Sequence, residues 1–141
     1  MKLLTIALLF CAVSAPLHAE PIIVGSKKFT ESYVLAEIAK RSLGSAGLQV
    51  EHRQGMGGTI ILWEALRTGQ IGLYPEYTGT IAEEILKQPG LPLDQMRAEL
   101  AKSGVAMSGE LGFNNTYALV MQRATAARLA IRNISDLRDH P

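Results

Sequence analysis

Seven consecutive residues, Tyr74-Pro75-Glu76-Tyr77-Thr78-Gly79-Thr80, hold the densest chemistry in this sequence: two tyrosines, a carboxylate and two threonine hydroxyls. A tyrosine ring offers a π face that attracts cations and a hydroxyl that hydrogen-bonds. The segment falls between a predicted strand and a predicted helix. Loops at the carboxyl ends of strands are where open α/β sheets bind ligands. The pattern points to a small cationic or amphipathic organic ligand. The same tyrosines could serve only to pack the strand end, and the loop by itself leaves both readings open.

Other constellations argue against an enzyme. Of the three histidines, His18 lies in the N-terminal leader, His140 near the end, and only His52 in the body of the chain. His52 has the alternation of a solvent-facing strand position, which predicts a solvated side chain. The sequence has no His-Glu-x-x-His, no cysteine ligand set and no Gly-x-Ser-x-Gly elbow. Gly55-Met56-Gly57-Gly58-Thr59 lacks the Gly-Lys-Ser/Thr of a phosphate-binding P-loop, and Ile60 occupies the last glycine place of Gly-x-Gly-x-x-Gly. Its backbone amides at a helix N-terminus could hold a carboxylate; a tight turn that lets helix and sheet approach is the competing reading. Glu83 and Glu84 read as solvent-facing acids at a helix start.

The elements that would position these residues alternate. Pro21 to Gly25 reads as a short buried strand. Thr30 caps a helix through Glu31 to Leu43, with Val34, Leu35, Ile38 and Ala39 as its apolar face. Leu48 to Arg53 alternates and reads as a second strand. After the glycine-rich turn, a helix carries Ile60, Leu62, Trp63 and Leu66 and stops at Gly69. Ile71 to Tyr74 is the third strand, and Thr80 to Lys87 the next helix. Gln88-Pro89-Gly90 breaks that helix, and Leu93-Asp94 opens another that ends near Ser103-Gly104. Phe113 to Met121 is an extended run, and Ser135-Asp136-Leu137 marks a helix cap. Alternating strands and helices predict a largely parallel sheet.

At the N-terminus, Met1-Lys2 precedes an apolar run from Leu3 to Val13, and Ala19 closes a small-residue segment before Glu20. This predicts a secretory signal peptide over residues 1–19, too short to span a bilayer, which takes about 20 residues. Cys11, inside that run, is the only cysteine, so the mature chain has no disulfides. Removing Lys2 with the leader leaves 13 basic against 13 acidic residues. Such a balance supplies no field for nucleic acid or an anionic membrane surface. The expected product is exported and not inserted in the membrane. The chain ends at Pro141 immediately after a helix has begun, which predicts that it is incomplete.

Several motifs in order resemble the substrate-binding proteins of glycine betaine/carnitine/choline (quaternary amine) ABC transporters. They are Gly25-Ser26-Lys27-Lys28-Phe29-Thr30-Glu31-Ser32, Gly57-Gly58-Thr59, Tyr74 to Thr80, Asn114-Asn115-Thr116-Tyr117-Ala118-Leu119, and Ile134-Ser135-Asp136-Leu137. The resemblance implies an α/β periplasmic-binding-protein fold of the second type, two lobes with a ligand cleft. Residues 20–110 would form the first-lobe segment, and residues 111–141 the crossover and start of a truncated second lobe. In this family a box of aromatic side chains encloses the quaternary ammonium. A trimethylammonium donates no hydrogen bonds, so each aromatic face contributes about 0.5–2 kcal/mol. Three or four faces with carboxylate contacts reach micromolar binding, about −8 kcal/mol.

Carried over by motif, Tyr77 and Tyr117 match box tyrosines, Thr80 a nearby polar contact, and Lys27 a polar ligand contact. Ser26 and Thr59 are weaker candidates from their loop positions. Tyr74 is expected to pack beneath the loop, and Tyr33 to lie in the core or on the surface. The resemblance implies capture and delivery to a membrane permease driven by a cytoplasmic ATPase, with no cofactor, metal or catalytic step. A ligand-sensing or permease-fused receptor domain of the same fold, and a non-functional half-receptor, are the alternatives.

Overall fold

The computed structural model describes residues 20–140; the predicted signal peptide lies outside the described residues. Strand β1 (Ile22–Lys27) and strand β2 (Val50–Gly57) pair in parallel, Ile22 opposite Val50 through Gly25 opposite Arg53. Helix α1 (Thr30–Ser45) links them and packs on both. Four consecutive residues of β1, Val24 to Lys27, are buried; since successive side chains point to opposite faces, this strand is covered from two sides, as parallel strands usually are.

β2 runs further than the alternation predicts, through the glycines to Gly57. The register explains the extension. Between Gly25 and Lys27 the pairing slips, with Lys27 opposite Gly57, so β2 carries extra residues in a bulge. Gly57 closes that bulge at φ 140°, and a Cβ there would stand 2.6 Å from Ile61 Cδ1. Gly57→Ala is therefore expected to cost about 1–3 kcal/mol through backbone strain. Gly58→Ala, whose new methyl group meets nothing within 4 Å, serves as the control. Paired thermal melts measure the difference, and equal midpoints would refute the strain argument.

The phase of α1 also departs from expectation. Val34 and Ile38, predicted to face the core, are 52% and 58% exposed, whereas Ser32 and Ala36 are buried. The Lys27 backbone N–H donates to Ser32 Oγ at 2.8 Å, which anchors that face of α1 against the end of β1. At 3.6 residues per turn, Val34 then stands about 200° away.

Helix α2 (Thr59–Arg67) places Leu62 and Ala65 over the sheet with Ile71, and Ile23, Met56, Leu66 and Tyr74 pack around them. A Cβ on Gly25 would lie 2.8 Å from Leu62 Cδ1, so the glycine is what lets α2 sit this close to β1. The predicted third strand is reduced to a single parallel bridge, Val24 with Leu73, where Gly25 N–H donates to the Leu73 carbonyl at 2.8 Å. Pro75 ends it: proline has no N–H for a ladder and restricts the residue before it.

Helix α3 (Thr78–Thr80) continues as a π-helical turn, Ile81–Ile85, starting two residues before the predicted Thr80. Helix α4 (Leu93–Ala101) contributes Met96 and Leu100 to a second cluster with Ile81 and Ala82. Trp63 of α2 packs against this cluster. Glu83 and Glu84 are exposed, as predicted.

The chain divides into two compact units between Met107 and Ser108. In the second unit, Phe113 to Met121 forms no strand, and Tyr117, Leu119 and Val120 are strongly exposed. Helix α5 (Arg123–Arg128) follows, then a 3-10 helix (Ile134–Asp139). Its cap is Asn133, two residues before the predicted Ser135. The Asp136 carboxylate accepts the Arg132 and Asn133 backbone N–H groups at 2.8 Å each, and those bonds hold its carboxyl below the usual range. Among the described residues no helix is long and apolar enough to cross a membrane.

Candidate ligand-binding site

Lys27 ends β1, and the Tyr74–Thr80 loop leaves the sheet beside it after Leu73. The carboxyl ends of adjacent parallel segments therefore deliver the two motifs to one place, as open α/β sheets do at their ligand sites. What joins them is an ion pair. Lys27 Nζ lies 2.6 Å from Glu76 Oε1, and the two side chains are only 8% and 5% exposed. The Tyr77 backbone N–H donates to the same oxygen at 2.9 Å. Glu76 Oε2 is buried with no hydrogen-bond partner among the described residues.

The electrostatics follow from burial. Removing the Glu76 carboxyl from water pushes its pKa above the ordinary value, against the Lys27 and Tyr77 hydrogen bonds that pull it down. Tyr74 shares this environment. Its phenol is pushed well above the usual range, first by burial and then by the nearby Glu76 charge. It packs against the Leu62–Ile71 cluster beneath the loop, as expected.

Tyr77 caps α3 with extended backbone, φ −93° and ψ 140°. Its carbonyl accepts the Ile81 N–H at 2.9 Å, so both its backbone polar groups are held. Thr80, half-buried, ends α3, and Thr59, 8% exposed, opens α2 behind Gly58. Tyr117, in the second unit, is fully exposed. The structure thus unites Lys27 and Tyr77 through Glu76, a residue that sequence reasoning did not select as a site residue. The one signal for Glu76 was its place among the loop tyrosines.

Ser26 belongs to a different network. Its hydroxyl is 2.8 Å from His52 Nε2, and His52 Nδ1 is 3.1 Å from Glu37 Oε2. The carboxylate only accepts, so Nδ1 donates to Glu37; in the neutral ring Nε2 then accepts from Ser26. Ser26 Oγ in turn accepts the Gly55 N–H at 3.4 Å. His52 is therefore not the solvated strand residue expected: its side chain is 9% exposed. It sits beneath α1 because Glu37 reaches back to it, and this hydrogen bond is the main cause holding the Glu37 carboxyl below its ordinary value. Serine, histidine and carboxylate in this order have the connectivity of a hydrolytic triad. With Ser26 fully buried, however, the hydroxyl has no face open to a substrate carbonyl. The chain of bonds instead ties β1, β2 and α1 together.

Among the described residues no group of three or more histidines, cysteines and carboxylates could hold a metal ion.

Residues 20–141 match the family described as the substrate binding domain of ABC-type glycine betaine transport system. The chain is similar to the ergothioneine transport permease/ergothioneine binding protein EgtU of Helicobacter pylori, 33% identical over 129 residues. That alignment covers 88% of this chain and 23% of the relative. It is 32% identical over 125 residues to the glycine-betaine-binding protein of Pseudomonas aeruginosa, covering 85% of this chain and 40% of that one. Among solved structures, a glycine betaine/carnitine/choline ABC transporter superposes with a TM-score of 0.66 at 19% identity. This match covers 86% of the present chain and 48% of that one, and supports the α/β binding-protein fold. The chain spans less than half the length of each of these proteins.

Proposed function

Because this chain belongs to the family of substrate-binding domains of ABC-type glycine betaine transport systems, we propose that it captures a quaternary ammonium solute outside the cytoplasm. It then delivers the solute to a membrane permease whose cytoplasmic ATPase drives import. The reading is of a binding protein, not an enzyme, exported by the signal peptide at residues 1–19. The observation that carries it is the loop at the end of the sheet, with Tyr77 held by its backbone and followed by Thr78 and Thr80. A trimethylammonium group cannot be held by hydrogen bonds, so a fixed aromatic face is the chemistry that recognises it.

In this reading Tyr77 and Tyr117 supply aromatic faces, and Thr80 a polar contact at the rim. Ser26 and Thr59 lie at the same end of the sheet but are buried, so they shape the site from beneath. Closure of two lobes over the solute would bring the remaining contacts.

Replacing Tyr77 by alanine removes one cation–π face, and glycine betaine or choline is expected to bind the intact native protein about tenfold more weakly. Isothermal titration measures it, with Val120→Ala as an exposed apolar control. Equal dissociation constants for wild type and Tyr77→Ala would take Tyr77 out of the site.

One observation favours a variant of this reading. The Helicobacter pylori relative is named as a permease and ergothioneine-binding protein in one chain. Ergothioneine is itself a trimethylammonium betaine, so the same aromatic chemistry would accept it. A titration series including ergothioneine distinguishes the solutes.

A further inference from the structure

The motif match makes Lys27 a direct contact to ligand, yet its ammonium is buried on Glu76. We propose that Lys27 and Glu76 form a positioning clamp for Tyr77: Lys27 influences the ligand only by fixing the carboxylate that holds the Tyr77 backbone. The proposal rests on the solute-binding reading above for its ligand arm, and on geometry alone for its structural arm.

Four observations carry it. Lys27 is held at both ends, its backbone N–H by Ser32 Oγ at 2.8 Å and its Nζ by Glu76 Oε1 at 2.6 Å. Its side chain is 8% exposed, whereas an ammonium awaiting a solute carboxylate would face solvent. Glu76 Oε1 takes two donors at once, Lys27 Nζ and Tyr77 N–H, while Oε2 takes none among the described residues. The carboxylate is therefore committed on one oxygen to joining strand and loop. Finally, Tyr77 is where extended chain turns into α3, so this bond restrains the backbone from which its ring projects.

A free lysine ammonium beside a trimethylammonium site would also repel the ligand. Paired with Glu76, it adds no net charge there. Burial away from water keeps the pair from being screened by salt. The clamp therefore suits a cationic ligand as well as a zwitterionic one, which a direct lysine–carboxylate contact would not.

The test compares glycine betaine, which has a carboxylate, with choline, which has none. Both are titrated into the intact native protein as wild type, Lys27→Met and Lys27→Met/Glu76→Leu. The double variant leaves no unpaired buried charge, and so preserves the test if the single variant does not fold. The clamp predicts that affinity for both solutes falls by the same factor, about tenfold, as expected when one aromatic face is misplaced. A loss confined to glycine betaine would overturn it in favour of direct carboxylate contact, and no loss for either would overturn it outright.

Hydrogen exchange at the Tyr77 amide supplies the arm that needs no ligand. Exchange should quicken by tenfold or more when Glu76 becomes leucine, while exchange at the Ile81 amide stays within about threefold of wild type. Unchanged protection at Tyr77 would refute the clamp even if the protein binds some other solute. A wild type that binds neither probe while its Tyr77 amide responds as stated would sink the solute reading and uphold the clamp.

Discussion

Lys27→Met lowers the unfolding free energy by about 3–5 kcal/mol, because it leaves the Glu76 carboxylate buried without its counter-ion. The side chains involved are 8% and 5% exposed, so neither water nor salt screens the loss. Replacing both partners, as in Lys27→Met/Glu76→Leu, should restore wild-type stability or exceed it, since an apolar pair of similar volume has no charges to desolvate. The pH dependence gives the mechanism a sign. Burial raises the folded pKa of Glu76 above its unfolded value, near 4.3. A raised carboxyl pKa contributes stability that is complete below the unfolded value and is lost as pH rises through the folded one.

In Lys27→Met the opposing lysine bond is gone, so the folded pKa rises further. The deficit against wild type is then largest at neutral pH and shrinks towards about pH 4, where the carboxyl is neutral. Glu37 and Asp136 behave oppositely, their folded values being lowered, so each loses stability as pH falls. Both are present in either protein and cancel in the difference. Urea unfolding at about pH 4 and about pH 7 measures it, and a deficit that is the same at both would exclude Glu76 as the group responsible.

Local patterns located the elements but not the contacts that set them. The first strand, the first two helices and the Leu93 helix stand close to their expected places, because apolar runs, glycine stops and proline breaks act over a few residues. Helix α1 shows where that information ends. Its Val34/Ile38 stripe was the obvious apolar face, yet the buried face is Ser32/Ala36. The helix is phased by the hydrogen bond from Lys27 to Ser32 and by the reach of Glu37 to His52, on another strand.

His52 failed for a related reason. Alternation reports which residues share a face of a strand, not whether a helix covers that face. The third strand failed at Pro75, a residue visible in the sequence but outweighed by the apolar run before it.

The candidate site was legible as a place and not as a mechanism. Aromatic loop and strand end could be found separately, since each is a contiguous motif. The ion pair joining them spans 49 positions, and a sequence pattern cannot report which of the many acids lysine 27 would meet. Glu76 therefore went unselected although it stands between the two loop tyrosines. Ser26 is a candidate from its loop position alone, and its commitment to His52, 26 residues away, is likewise invisible until the sheet forms.

Leu62→Ala is the substitution expected to weaken the support of that loop most, by about 2–5 kcal/mol. Leu62 is wholly buried and centres the cluster with Ala65 and Ile71, against which Tyr74 packs. Its neighbours Ile60 and Ile61 are 51% and 56% exposed, so Ile60→Ala on the same helix should change stability by under about 1 kcal/mol. The contrast separates burial from helix propensity, because alanine is the better helix former at either position.

A second substitution tests where the leucine methyl lies. A Cβ on Gly25 would stand 2.8 Å from Leu62 Cδ1 and 2.7 Å from Ile71 Cδ1, so Gly25→Ala crowds both side chains in the wild type. In a Leu62→Ala background the first obstruction is gone, and Ile71 has room to move aside. Gly25→Ala should then cost less than it does alone, with a coupling of about 0.5–3 kcal/mol in a double-mutant cycle. Additive losses would mean that the β1 glycine is not there to seat Leu62. The close approach of α2 to the strand would then need another cause.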